Sequence, residues 1–299
     1  MEIKWLEDFL SLTKTQSFSQ SAIARNVTQS TFSRRIKALE TWLGVALVDR
    51  STYPTRLTEA GMAFKTTAEE LLHRIYQDRQ YLRQASRRLE DQVSFSAMHT
   101  LSLNFFPKWL TSLEESLGPL NTRLIADNIH NCVEFLIDGG CEFLLCFSHD
   151  ATPFLIDEKH FHYAMLGNDI LIPVSGVDGK RQPRYRLHTK RAAPAPYLAY
   201  APDSLLGRAV EQRLKSASRR CQLAPCYENS MAEALKAMAI QGHGLAWLPQ
   251  MSIRGELRSG RLARAADESW DIPLEIRLYR AIGPGSPQVE AIWEHVLEH

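Results

Sequence analysis

The sequence predicts an α/β protein with a small helical domain at its N-terminus, a long connecting helix and a larger domain of alternating strands and helices. Three observations support this prediction: a helix-turn-helix pattern over residues 18–43, a 3.5-residue apolar repeat over residues 64–89, and recurring strand and helix patterns from residue 92 onward. A chain of 299 residues can hold one small and one larger domain.

The N-terminal domain is predicted to contain three helices. The first covers residues 3–14 and has a broad apolar face, and it packs behind a pair formed by residues 19–25 and a second helix that ends at Leu43. The apolar stripe of that second helix repeats at helical spacing and consists of Phe32, Ile36, Leu39 and Leu43. Thr28 is its expected N-cap and Gly44 its C-cap. In the shorter helix, Ala22 and Ile23 are expected to face inward.

The polar face of the second helix predicts DNA recognition. It begins after Thr28, and its side chains are of the types that read base edges and bind phosphates: Gln29, Ser30, Ser33, Arg34 and Lys37. Residues 1–65 carry nine Lys and Arg against six Asp and Glu, although the net charge of the whole chain is only +1. A solvated basic face on an ordinary helix pair would give the same pattern, so the pattern alone leaves both interpretations open.

A wing and a long helix are predicted to follow. Residues 45–48 form a candidate strand, and the chain returns at residues 57–58, which places Arg50 and Arg56 where they could contact phosphates. The long helix covers about residues 58–89. Its coiled-coil seam is Phe64, Ala68, Leu71, Ile75, Asp78, Leu82, Ala85 and Leu89. We expect this seam to dimerise and to present two reading helices to a two-fold symmetric DNA site, the alternative being a single surface helix.

Residues 3–65 resemble the winged helix-turn-helix of the LysR-type transcriptional regulators. The resemblance is carried by Ser17-Phe18, Ala22, Val27-Thr28-Gln29, Ser33-Arg34-Arg35-Ile36, Leu39-Glu40, Leu43-Gly44, Arg50 and Leu57-Thr58-Glu59-Ala60-Gly61. The chain departs from the family pattern at Ser21, Ser30 and Val48, where Ala, Pro and Phe are usual.

This resemblance implies three domains and a partner. Residues 1–60 would bind DNA, residues 61–91 would form the linker helix, and residues 92–299 would form a periplasmic-binding-protein-like effector domain. Two lobes, about 92–164 with 271–299 and about 165–270, would flank a cleft for a small-molecule effector. The family also implies a homodimer or homotetramer that binds double-stranded promoter DNA.

Alternating elements are predicted over the last two thirds of the chain. The predicted strands are 92–97, 123–126, 142–147, 169–174, 198–200, 244–249 (ending in a turn) and 274–281, and the predicted helices are 101–117, 130–137, 204–215, 231–240 and 287–297. Repeated β-α units indicate a mostly parallel sheet with helices on both faces.

Two helix starts suggest an effector site. Ser230 and Glu233 have the spacing of a capping box, and Thr100 and Ser102 are expected just before the first helix of the other lobe. Ligands bind beyond the carboxyl ends of parallel strands, and free N–H groups at helix starts favour anions. We therefore expect a small anionic effector at Thr100, Ser102, Asn229, Ser230 and Met231. Plain helix caps would give the same pattern.

Five cysteines, an odd number, argue against a disulfide scaffold. Cys146 is predicted to be a core residue, whereas Cys221 and Cys226 are redox candidates; no metal site is expected. Met231 is a third redox candidate, because the chain resembles the hypochlorite-responsive subgroup of the family at Ile3-Lys4-Trp5-Leu6, Ser102-Leu103, Asn229-Ser230-Met231 and Gly244-Leu245-Ala246-Trp247-Leu248-Pro249. Leu206 stands at another sensing position of that subgroup.

Several protein classes are excluded or disfavoured. No apolar run could span a bilayer and no signal peptide is apparent, so a cytoplasmic protein is expected. The motifs of α/β-hydrolases, zinc proteases, P-loop proteins and dinucleotide-binding folds are missing, so we expect no enzyme and no cofactor. Two alternatives stay open: a redox sensor acting through Met or Cys oxidation, and an enzyme with a regulatory DNA-binding domain.

Overall fold

The structure is a computed structural model that describes residues 1–25, 27–51, 54–87, 92–149, 156, 160–187, 194–202, 204–217 and 221–298, with backbone alone at 73, 77 and 80–87. The chain divides into two compact units, Met1–Arg83 and Gln84–His299. Within the described ranges, no helix has both the length and the apolar character that crossing a bilayer requires.

The first unit is built on three helices, α1 (Ile3–Thr15), α2 (Phe18–Ala24) and α3 (Gln29–Leu43). Their shared core includes Leu6, Phe9, Phe32, Ile36 and Leu39, all fully buried. This is the predicted apolar stripe of α3 packed against the predicted face of α1.

The predicted caps of α3 are confirmed. The Thr28 hydroxyl accepts the N–H of Thr31 at 3.3 Å, and Gly44 takes the left-handed conformation with φ 73°.

The orientation predicted for α2 is partly wrong. Ala22 is buried as expected, but Ile23 is 76% exposed and Ser21 takes the inward position. A seven-residue helix has too few turns for apolar spacing to fix its buried face. Ser21 is tolerated in the core because its hydroxyl lies 2.6 Å from that of Thr15.

A short wing follows, formed by β1 (Val48–Asp49) and β2 (Arg56–Leu57), which pair antiparallel. The predicted strand at residues 45–48 was placed too early. Leu47 donates its N–H to the Glu40 carboxylate at 2.9 Å instead of to a partner strand.

The long helix is α4 (Glu59–Arg87), and Gly61 allows its close approach to the wing, since a Cβ there would lie 2.0 Å from the Leu47 carbonyl oxygen. The prediction of one continuous dimer seam is wrong in its first half. Phe64 and Ala68 pack into the core of the first unit, whereas Leu71 is 40% exposed. The side chains of Leu82 and Ala85, and all of Leu89, lie outside the described residues.

In the described part of the second unit, the strands form one nine-stranded sheet. Its strands are β3 (Gln92–Met98), β4 (Asn121–Asp127), β5 (Phe143–Ser148), β6 (Phe161–Gly176), β7 (Ala195–Tyr200), β8 (Leu223–Asn229), β9 (Leu245–Pro249), β10 (Leu262–Arg264) and β11 (Ile272–Ala281). They lie in the order β4-β3-β5-β11-β6-β9-β7-β8, and β10 pairs with β6.

Helices alternate with these strands. They are α5 (His99–Asn104), α6 (Phe106–Leu117), α7 (Ile129–Ile137), α8 (Leu205–Ser216), α9 (Ala232–Ile240), α10 (Gln250–Ser259) and α11 (Pro287–Glu298), with a short 3₁₀ helix at Glu268–Trp270. The predicted helix at 101–117 is in fact two helices that divide at Phe105. Pro107 explains the break, because it lacks an N–H and fits only in the first turn of the second helix.

The expectation of a mostly parallel sheet is wrong. The parallel pairs are β3–β4, β3–β5, β7–β8 and β7–β9, but β6 and β11 pair antiparallel with each other and with β5, β9 and β10. The β6–β11 ribbon runs between two groups of strands, β3–β5 and β7–β9. These groups support the two-lobed fold; the residue limits given for the lobes stay a prediction.

Four elements were missing from the sequence-based assignment: β8, α10, β10 and the 3₁₀ helix at Glu268–Trp270. A turn was expected after Pro249, but α10 begins at the next residue. β8 was not predicted because Pro225 and exposed polar residues interrupt its pattern, which an edge strand can accept.

Candidate nucleic-acid interface and effector cleft

The outer face of α3 presents the side chains that were predicted to bind DNA. Gln29, Ser30, Arg34 and Lys37 are exposed, and Ser33 is half-buried. In the part of the chain that the structure describes, neither Arg34 nor Lys37 has an ion-pair partner. The two cations are therefore available to phosphates or to base edges.

The start of α3 carries a small hydroxyl and amide cluster. The Thr28 hydroxyl also lies 3.0 Å from that of Ser30, and the Gln29 side-chain carbonyl accepts a bond of 3.1 Å from the Ser19 hydroxyl on α2. These contacts hold polar side chains at the helix start, where N–H groups favour a phosphate.

Arg50 makes contacts that were not foreseen. Its guanidinium donates to Glu40 at 3.1 Å and to the Ser33 hydroxyl at 3.3 Å, and it lies 5.3 Å from the ring centre of Phe18. Arg50 therefore joins the wing to α3 within the protein. Its predicted phosphate contact stays a prediction, because a guanidinium has five N–H donors and two suffice here.

Arg56 is exposed on β2, the second strand of the wing. It pairs across the ladder with Asp49, whose carboxylate accepts from the N–H and the hydroxyl of Ser51. The Ser51 hydrogen bonds, helped by the charge of Arg56, lower the pKa of Asp49.

In the second unit, the carboxylate of Glu233 connects two helices, each of which follows a strand of a different group. Glu233, in the first turn of α9, accepts from the Thr100 hydroxyl at 3.2 Å and from the Asn104 amide at 3.0 Å, both on α5. These bonds bridge residues about 130 positions apart in the sequence. We name the region between α5 and the start of α9 the effector cleft, after the role that the sequence predicts for it.

The predicted capping box at α9 is wrong. Met231 is the N-cap residue and makes no side-chain cap, and Glu233 points to α5 instead of back to Ser230. The Asn229 side chain organises this turn by accepting the N–H of Met231 at 2.9 Å.

The position of two further candidates also differs from the prediction. Thr100 and Ser102 lie inside α5, not before it, and the Ser102 hydroxyl donates to the His99 carbonyl at 2.7 Å. Thr100 nevertheless contacts the α9 start through Glu233, so both predicted groups reach the same cleft. Met231 and Ser230 are half-buried there.

Tyr200, which the sequence analysis did not identify, lies near enough to Glu233 for the two groups to interact electrostatically. It is 4% exposed, and its hydroxyl has no hydrogen-bond partner within the described residues. Burial raises the pKa of Tyr200 well above its usual value, and the nearby charge of Glu233 raises it further. The position of Tyr200 at the carboxyl end of β7 could have indicated it.

The cysteines are all free thiols. Cys146 is fully buried, which confirms it as a core residue. Burial raises the pKa of the Cys221 thiol, which disfavours the reactive thiolate, whereas Cys226 is exposed with its sulfur 3.5 Å from the Tyr197 carbonyl oxygen. Leu206 is buried in the core. Among the described residues, no group of three or more His, Cys, Asp or Glu side chains is arranged to hold a metal ion.

Two family descriptions match the chain. "Bacterial regulatory helix-turn-helix protein, lysR family" matches residues 3–62, and "LysR substrate binding domain" matches residues 86–299. The transcriptional regulator YjiE of Escherichia coli K12 is 34% identical over 300 residues, covering 100% of this chain and 95% of YjiE.

Two solved structures are also similar. Vibrio fischeri DarR, in complex with DNA, is 32% identical with a TM-score of 0.60, covering 100% of this chain and 99% of DarR. Full-length HypT of Salmonella typhimurium, a hypochlorite-specific LysR-type regulator, is 32% identical with a TM-score of 0.59, covering 98% and 96%. The HypT regulatory domain was also solved with bromide bound, at 25% identity and a TM-score of 0.58, covering 69% of this chain and 94% of that domain.

Proposed function

Because this chain belongs to the LysR family of bacterial transcriptional regulators, we propose that α3 reads promoter DNA and that the effector cleft controls this reading. The protein is a DNA-binding transcriptional regulator with an effector-binding domain. The relatives are regulators and not enzymes, and the proposal includes binding of an effector without its chemical conversion.

The DNA contacts are assigned by exposure and charge. Arg34 and Lys37 are exposed and unpaired in the described chain, which supports them as base-reading and phosphate-binding cations. Thr28, Gln29, Ser30 and Ser33 supply polar groups on the same face. Arg50 and Arg56 extend the contact surface along the wing.

Family members form oligomers, which supports a homodimer or homotetramer here. The exposed Leu71 on α4 is a candidate dimer contact. A dimer would present two copies of α3 to a two-fold symmetric DNA site.

The single observation that carries the effector proposal is the meeting of α5 with the start of α9 through Glu233, whose charge also acts on the buried Tyr200 hydroxyl. An effector there would meet the first N–H groups of α9 and the Tyr200 hydroxyl, together with the predicted side chains Thr100, Ser102, Asn229, Ser230 and Met231. The HypT regulatory domain has been solved with bromide bound, which supports an anionic effector for the corresponding domain of this chain. Glu233 would have to release Thr100 or Asn104 as an anion approaches, because like charges repel.

Bromide is a direct probe of this site. Crystals of the full-length protein would be soaked in sodium bromide, and the anomalous signal of bromide would be mapped. We expect a peak at the α9 start that disappears in Ser230→Ala and Tyr200→Phe but persists in Ser116→Ala, an exposed serine on α6. Bromide peaks on the surface but none in the cleft would contradict the anionic site.

One observation favours an oxidant-sensing alternative. Met231 is half-buried at the cleft, so its thioether can be reached and oxidised to a polar sulfoxide. This alternative predicts that hypochlorite changes the affinity of the purified protein for DNA and that Met231→Leu removes the change. An unchanged response in that variant and in the Cys221→Ser, Cys226→Ser variant would exclude it.

A further inference from the structure

A network of charged side chains connects α4 to α3 through α1 and α2. The Tyr76 hydroxyl on α4 donates to Glu7 on α1, and Glu7 accepts a second bond from Arg25, the residue that ends α2. Arg25 also donates to Asp8 at 3.0 Å, and Asp8 accepts from Arg35 on α3 at 3.2 Å. Four helices of the first unit are thus linked by consecutive hydrogen bonds.

The centre of this network is out of contact with water. Asp8 has no exposed surface, and each of its carboxylate oxygens accepts from a different guanidinium. Burying such an ion set contributes little net stability compared with apolar side chains of the same size, because desolvation offsets the Coulomb attraction. The bonds are directional, however, so they fix the relative rotation and translation of the helices they join.

The α3 end of the network lies next to the DNA-reading face. Arg35 directly follows Arg34, and successive residues point about 100° apart around a helix. While Asp8 holds Arg35, this bond adds to the core packing of α3 in restricting rotation of the helix about its axis, and so helps to fix the direction of Arg34.

The other end lies far along α4. Tyr76 is about 25 Å from the start of that helix at 1.5 Å per residue, and α4 continues to Arg87, beyond the start of the second unit at Gln84. Tyr76 thus ties to α1 the part of α4 that leads toward the effector-binding domain. A displacement of this part of α4 would strain the bond from Tyr76 to Glu7.

We propose that Tyr76, Glu7, Arg25 and Asp8 are positioning residues for DNA recognition, which transmit the position of α4 to the rotation of α3 through Arg35. The proposal rests on α3 being the reading helix. It predicts that breaking the Tyr76–Glu7 bond lowers the affinity for specific DNA while leaving the affinity for unrelated DNA almost unchanged, because phosphate contacts tolerate small rotations and base contacts do not.

The test is a double-mutant cycle in the full-length protein. Tyr76→Phe, Glu7→Gln and the double variant would be titrated against a genomic fragment selected by the wild type and against unrelated DNA of the same length. We expect each single variant to lose about three- to tenfold in specific affinity, and the double variant to lose no more than one single variant. Arg74→Ala is the matched control, since Arg74 is an exposed α4 residue paired only with Asp78 among the described residues.

Thermal unfolding of each variant separates positioning from stability. The proposal fails if Tyr76→Phe binds like the wild type, if specific and unrelated DNA lose affinity equally, or if the two losses add in the double variant. Arg34→Ala, measured in the same experiment, tests separately whether α3 is the reading helix. If Arg34→Ala weakens specific binding while Tyr76→Phe does not, α3 reads DNA but the network does not position it. If neither variant matters, α3 is not the reading helix.

Discussion

The two units bury an aspartate in different ways. Asp8, in the DNA-binding unit, is fully buried between the guanidiniums of Arg25 and Arg35. Asp169, in the effector-binding unit, is 4% exposed on β6 and, among the described residues, accepts hydrogen bonds only from backbone N–H groups, including that of Met251 at the start of α10 at 3.2 Å. Glu233 likewise has no ion pair among the described residues. The first unit thus pairs its buried Asp8 with two guanidiniums, whereas Asp169 and Glu233 in the second unit have no such pair, so the energy of these two carboxylates depends on protons or ligands.

The largest expected change in the free energy of unfolding is at Asp8 in the first unit, where the buried charge is paired. Asp8→Asn leaves two guanidiniums facing a neutral amide, so we expect it to destabilise the first unit by about 3–5 kcal/mol at any pH near neutrality. Urea unfolding, followed by circular dichroism, would measure the change. Glu2→Gln is the control. Because the ion pair of Glu2 with Lys4 is exposed, this substitution should change the free energy of unfolding only slightly. An unchanged free energy of unfolding in Asp8→Asn would mean that the ion pairs of Asp8 with Arg25 and Arg35 do not stabilise the first unit.

The stability of the second unit should depend on pH through Asp169, which has no ion pair among the described residues. Burial raises the pKa of Asp169 to about 6, above its usual 3.8. Ionisation therefore opposes folding: the contribution of Asp169 is fully present below about pH 4 and is lost as the pH rises through 6. Relative to Asp169→Asn, the wild type should lose up to about 3 kcal/mol of unfolding free energy over this window.

Urea midpoints of both proteins at several pH values would test this. Asp178→Asn serves as the control, because hydrogen bonds from the Gln182 and Lys180 N–H groups lower the pKa of the exposed Asp178, so its contribution has the opposite sign. A constant difference between wild type and Asp169→Asn from pH 4 to pH 7 would mean that Asp169 is compensated after all.

The reading face gives the next effect in size. Arg34→Ala should weaken specific DNA binding by about 1–3 kcal/mol, because Arg34 is exposed and unpaired in the described chain. Lys37→Ala should weaken binding to all sequences similarly if Lys37 contacts phosphate. Fluorescence anisotropy at two salt concentrations distinguishes the two roles. Unchanged affinity for a selected fragment would remove Arg34 from the interface.

The cleft contact is expected to have a smaller effect on stability and a larger one on local motion. Asn104→Ala removes one of the two bonds to Glu233, at a cost of about 1 kcal/mol. Amide hydrogen exchange should become faster in α5 and in the first turn of α9, and stay unchanged in α11. If the substitution changed the exchange rate by the same factor in all three helices, Glu233 would not be what holds α5 against α9.

These contrasts also explain what the sequence could predict. The caps and exposed face of α3 follow from residues within one helix, so helical periodicity was sufficient to find them. The bond from Thr100 to Glu233 joins residues 133 apart, and the local Ser-x-x-Glu pattern suggested a cap instead. The ion pair of Asp8 with Arg35 joins α1 to α3, 27 residues apart in the sequence, and was also missed. Local patterns identified the elements, but long-range packing decides which carboxylate meets which partner.

The sheet shows the same limit. Strands such as β5 and β9 are continuous apolar runs and were found, whereas the first half of β6 is largely exposed and carries no such signal. That half pairs with β11 in the antiparallel ribbon, so missing it led to the wrong expectation of a mostly parallel sheet.

Selection of genomic fragments by the purified full-length protein, at a stated salt concentration, tests the central assignment most directly. A regulator that reads DNA through two copies of α3 should enrich fragments that share a two-fold symmetric core, and the enrichment should be lost with Arg34→Ala. Diffuse binding that depends only on salt, with no shared core and no difference between the wild type and Arg34→Ala, would contradict it.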